Sequence, residues 1–87
     1  MFVDVENHRI HSLYAIALSQ TGDHSKAIFE LESALLCNPP AGESAKIHAL
    51  LAREHLAAGN PAKARTEVAE ALRIDPNNVD ARALKIP

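Results

Sequence analysis

Leu18-Ser19-Gln20-Thr21-Gly22-Asp23-His24-Ser25-Lys26-Ala27 reads as a helix end, a turn and a helix start, and His55-Leu56-Ala57-Ala58-Gly59-Asn60-Pro61-Ala62-Lys63-Ala64 reads the same way 37 residues later. Gly22 and Gly59 can adopt the left-handed conformation that closes a helix, and Asp23 and Asn60 each offer a side-chain oxygen to the open amides of the next one. Pro61 suits a first helical position, where its missing amide hydrogen costs nothing. Outward from the first turn, apolar residues recur at helical spacing as Ile10, Leu13, Tyr14, Ala17 and Leu18 before it and Ala27, Ile28, Leu31, Ala34 and Leu35 after it. Around the second turn the stripes are Ile47, Leu50, Leu51 and Leu56, then Ala64, Val68, Ala71 and Leu72. Pro39-Pro40 stops the second helix, because proline lacks the amide hydrogen and keeps the preceding residue out of helical geometry. Asp75-Pro76-Asn77-Asn78 closes the fourth and offers asparagine caps to a last segment, Val79 to Ile86. No alternating β-branched run exists from which to build a sheet. The pattern predicts an all-α fold of about five helices, paired antiparallel by tight turns.

The 87 residues are 47% hydrophobic and 23% charged, which fits one small domain spanning 1–87 and leaves little room for a deep two-lobed cleft. Nine basic and eleven acidic residues give a formal charge of −2, so the basic stripe needed for phosphate contacts is missing and nucleic acid is not an expected partner. Cys37 is the sole cysteine; it cannot form an internal disulfide or supply a multi-cysteine metal cluster. Neither a bilayer-spanning apolar run nor a basic flank and apolar core at Met1 to Glu6 is present, so a soluble segment is expected, and reducing cytoplasm is permitted.

At the 37-residue offset more than the turns coincide. Tyr14 meets Leu51, Ala15 meets Ala52, Leu18 meets His55, Ala27 meets Ala64, Leu31 meets Val68, Ala34 meets Ala71, Leu35 meets Leu72 and Pro39 meets Pro76. Together with His11 and His48, these slots resemble the tetratricopeptide repeat, whose pattern is W-x2-L-G-x2-Y, then A-x3-F, then P. Ala15, Ala52, Ala27 and Ala64 fall where that family keeps small residues so that paired helices can approach closely. The departures are His11 and His48 in the tryptophan slot, His55 in the tyrosine slot, and a period three residues beyond the usual 34, placed around Gly42-Glu43-Ser44. The resemblance covers about His8 to Asn78. It implies a right-handed superhelical stack, with repeat one at about 8–41, repeat two at about 45–78 and a capping helix at about 79–86.

The resemblance also implies a scaffold that binds a peptide or partner protein on the concave face lined by the first helix of each pair. The expected lining is Arg9, Ser12, Ile16 and Ser19 from one repeat and Lys46, Ala49, Arg53 and Leu56 from the other. Three cations and no carboxylate among those eight would suit a ligand with acidic groups beside an apolar anchor. A subgroup of the family grips a chaperone's C-terminal carboxylate with lysine and asparagine, but Ser12 and Ile16 occupy those slots in the first unit, so that ligand is not expected.

His8 with His11, and His48 with His55, share helical faces, yet their fit to aromatic slots favours hydrogen-bonded packing over metal, and no metal or cofactor is expected. Cys37 reads as a small packing residue. No phosphate loop, H-E-x-x-H or G-x-S-x-G occurs, so no catalytic residue is expected. An alternative is a structural or dimerising segment at the tail of a larger enzyme, because Phe29-Glu30-Leu31-Glu32-Ser33-Ala34-Leu35-Leu36 is similar to repeat tails of some bacterial peptidases. Two repeats are few for a solenoid, so the N-terminal end, with Phe2, Val3 and Val5, is expected either to self-associate as a homodimer or to continue into a longer protein.

Overall fold

The computed structural model describes residues 7–86. Phe2, Val3 and Val5, expected to mediate self-association, lie outside them. Five helices follow in order: α1 (Asn7–Gln20), α2 (His24–Leu36), α3 (Ala41–Ala57), α4 (Pro61–Ile74) and α5 (Val79–Ala83), with no strand among the described residues. Helices α1 to α4 pack chiefly on their neighbours in sequence, and α5 packs on α3 and α4 alike. The result is a flat stack, 44 × 29 × 17 Å, in which α3 is the shared middle layer.

The two turns close with the same pair of bonds. Gly22 and Gly59 sit at φ 86° and 84°. The amides of Gly22 and Asp23 donate to the carbonyls of Ser19 and Leu18, and those of Gly59 and Asn60 donate to Leu56 and His55. This pairing of crossed bonds satisfies carbonyls left open at a helix end and requires the left-handed residue that glycine supplies without strain. Asp23 then accepts from the Lys26 amide at 3.3 Å and Asn60 from the Lys63 amide at 3.4 Å, which caps α2 and α4.

Three boundaries differ from the sequence reading. Helix α2 ends at Leu36 because Asn38 takes a left-handed φ of 59°, one residue before the prolines that were expected to do the stopping. Gly42-Glu43-Ser44 is not a loop insertion: the extra residues lengthen α3 at its start, with Pro40 as its N-cap and Glu43 in the first turn, where a carboxylate favours the helix dipole. Helix α5 stops at Ala83 rather than running to Ile86, and Leu84 turns to extended backbone.

The core is made by close approach more than by bulk. Ala15, Ala27, Leu31, Ala34, Ile47 and Leu51 form one buried cluster across α1, α2 and α3, and Ala49, Ala71 and Ala81 form a second across α3, α4 and α5. Ala52 and Ala64 are fully covered, as the small-residue slots require. Ile10, Leu13 and Tyr14, read from periodicity as a packing stripe, instead face outward. The counterparts of Ile10 and Tyr14, Ile47 and Leu51, are covered because α2 precedes α3; no described helix precedes α1.

Candidate functional site: the groove between α1 and α3

Helices α1 and α3 run side by side across α2, and the trough between them contains two adjoining depressions. One, of about 140 Å³, is lined by Ile16, Ser19, Gln20, Leu31, Leu50, Arg53 and Glu54. The other, of about 420 Å³, is bordered by Arg9, Ser12, Leu13, Glu43, Lys46, Ile47 and Leu50. Leu31 of α2 contributes to the floor of the first, Leu50 belongs to both, and the charged side chains stand along the rim.

Six of the residues expected on the concave face therefore border this trough: Arg9, Ser12, Ile16, Ser19, Lys46 and Arg53. Ala49 does not. It is 1% exposed and packed against Ala71 and Ala81, so it has no surface to offer a ligand. The single turn of α5 packs on α3 and closes over Ala49. Leu56 is half-buried and lines neither depression. The aliphatic residue actually presented by α3 is Leu50, whose spacing with Lys46 and Arg53 (i, i+4, i+7) marks one helical face.

The charge is also more balanced than the first eight residues implied. Glu43 lies 3.7 Å from Lys46, and Glu54 shares the smaller depression with Arg53. Glu54 is 6% exposed, and its carboxylate accepts the Ser19 hydroxyl at 2.8 Å and pairs with His24 Nδ1 at 2.8 Å. A buried carboxylate needs such partners, and these come from α1 and from the start of α2, so Glu54 ties three helices together at one end of the trough.

Two further histidine–glutamate pairs brace the hairpins from behind. His11 Nδ1 lies 2.6 Å from Glu30 in the first and His48 Nδ1 lies 2.7 Å from Glu67 in the second, both 19 residues apart and both offset by the same 37 residues. Where the family pattern has a large aromatic, this chain bridges the helices with a polar bond. No group of three or more histidine, cysteine, aspartate or glutamate side chains that could hold a metal occurs among the described residues. Cys37 is half-buried and its thiol donates to the Ser33 carbonyl at 3.5 Å. Among the described residues no helix is long and apolar enough to cross a membrane.

The fold and trough define a helical-repeat module, made of antiparallel pairs sharing a middle helix. Residues 45–86 match the family model of the tetratricopeptide repeat, from α3 through α5 and beyond the Asn78 limit of the sequence pattern. The chain thus carries a tetratricopeptide repeat, of the family whose general role is protein–protein interaction. No curated protein and no solved structure matches it.

Proposed function

We propose that the trough between α1 and α3 receives a segment of a partner protein, anchored by one apolar side chain against Ile16 and Leu50. The observation that carries this reading is the pair of aliphatic side chains, exposed Ile16 and half-buried Leu50, that face each other across the trough within a charged rim, the arrangement in which apolar burial supplies affinity and charges set orientation. Arg9, Lys46 and Arg53 share the rim with Glu43 and Glu54, so charge orients the segment more than it selects its sign, and the protein acts as a binding module rather than an enzyme.

Selection of peptides from a random display library tests it. Selected peptides should share an aliphatic or aromatic anchor, lose at least tenfold in affinity to an Ile16→Glu variant and be indifferent to Tyr14→Glu, which lies off the trough. Retention of affinity by the Ile16→Glu variant, shown folded by circular dichroism, would remove the trough as the site.

A further inference from the structure

A hollow beside the paired helices recurs in both repeats at the same slots, but its lining differs. In the first it is bordered by Tyr14, Leu18, Lys26, Phe29 and Glu30. One period later the equivalents of Leu18 and Phe29 are His55 and Thr66, and the hollow, of about 240 Å³, is lined by Glu32 from α2 with His55, Lys63, Thr66 and Glu67. None of these five borders the trough between α1 and α3. His55 is 8% exposed, and among the described residues neither of its ring nitrogens has a hydrogen-bond partner. Buried polar side chains are nearly always paired in native proteins, because an unmet donor or acceptor keeps its full desolvation cost. Leu18, half-buried in the equivalent slot, shows that the fold itself does not require an imidazole there.

We propose that this hollow, lined by Glu32, His55 and Glu67, receives the guanidinium of an arginine side chain on a partner protein. The reason is an excess of acceptors. Glu32 is exposed and has no ion-pair partner among the described residues. Glu67 engages His48 Nδ1 through Oε2 at 2.7 Å, which leaves Oε1 for a ligand. The Thr66 hydroxyl donates to the Ala62 carbonyl at 3.3 Å, so its lone pairs remain open, and a neutral His55 ring adds one acceptor nitrogen. Two carboxylates against the one ammonium of Lys63 give the hollow a negative balance. Guanidinium brings five donors in a planar fork and no acceptor, which matches acceptors spread around a rim. A metal ion would need ligands that converge, and no group of three or more that could hold one occurs among the described residues.

Long-range proton–nitrogen NMR of the five imidazoles in the full chain tests it, with N-acetylarginine methylamide as the probe. The probe should shift the His55 ring nitrogens saturably, while its citrulline and lysine analogues, which lack a charged fork, should bind at least about tenfold more weakly. Glu32→Gln should weaken the arginine response by about tenfold, and Lys63→Ala, which removes the opposing charge, should strengthen it. Circular dichroism of both variants shows that they remain folded. An unmoved His55 overturns the proposal, as does an equal response to citrulline or an arginine affinity unchanged by Glu32→Gln. A shift confined to His24, at the end of the trough, overturns it by placing the arginine there. A His55 shift with acetate but not with the arginine probe also overturns it, because the hollow would then be an anion site served by Lys63.

Discussion

The bond between His48 and Glu67 shows at the level of single residues how this chain departs from its family without losing the fold. A large aromatic would fill the space between helices by bulk; here His48, mostly covered, reaches Glu67 at 2.7 Å. Removing one partner leaves the other poorly solvated, so His48→Ala is expected to destabilise by about 1–3 kcal/mol, with a His48/Glu67 double-mutant cycle in urea showing a positive coupling. An additive cycle would mean that the two side chains merely lie close. Glu70 and Arg73 make the exposed contrast. The Arg73 guanidinium donates to the Glu70 carboxylate, from Nε at 3.1 Å, and this hydrogen bond holds the carboxyl below its ordinary value while raising the arginine. Because the folded value is the lower one, the pair's contribution is present above the ordinary glutamate range and lost as pH falls through the depressed folded value. Carboxyl NMR titration should find Glu70 moving back toward the ordinary value in Arg73→Ala.

At the level of elements, glycines in different settings separate backbone conformation from packing. A Cβ added at Gly22, Gly42 or Gly59 would meet nothing within 4 Å, so only backbone geometry distinguishes them. Gly59→Ala places a side chain at a φ of 84° and is expected to cost about 1–2 kcal/mol, whereas Gly42→Ala, inside the first turn of α3, should stabilise by about 0.4–1 kcal/mol. Thermal melts of the two variants should shift in opposite directions; shifts in the same direction would mean the turn is not held as described. These turns were legible in the sequence because their causes are local: a glycine, a capping side chain and a proline act within a few residues of where they stand. The trough was only partly legible. Periodicity identified which face of α1 is apolar but could not show that Ile10 and Tyr14 lack a covering helix. The step from Ala49 to Leu50 is about 100° around a helix, and α5 decides which of them is sealed. The histidine–glutamate braces did leave a signal, since Glu30 and Glu67 fall in register at the same 37-residue offset as His11 and His48.

At the scale of the whole molecule, the packing order sets where stability resides. Helix α3 contacts α2 on one side and α4 and α5 on the other, while α1 packs chiefly on α2 and leaves its outer face open. In a stack of this kind stability is close to a sum of unit and neighbour terms, so the element with neighbours on both sides opens only with the rest, and an end element can open alone. Leu51 belongs to the cluster that joins α3 to α1 and α2, and Leu51→Ala is expected to cost about 2–5 kcal/mol. Amide hydrogen exchange should accordingly show slowest exchange in the middle of α3 and progressively faster exchange toward α1 and α5. In Leu51→Ala the protection of α3 should fall by the full loss of global stability, whereas the fast-exchanging amides of α1 should change much less, because they already exchange through local opening. Equal protection across all five helices would contradict this. It would mean that the two hairpins open only as one unit, and that the exposed side of α1 costs the stack nothing.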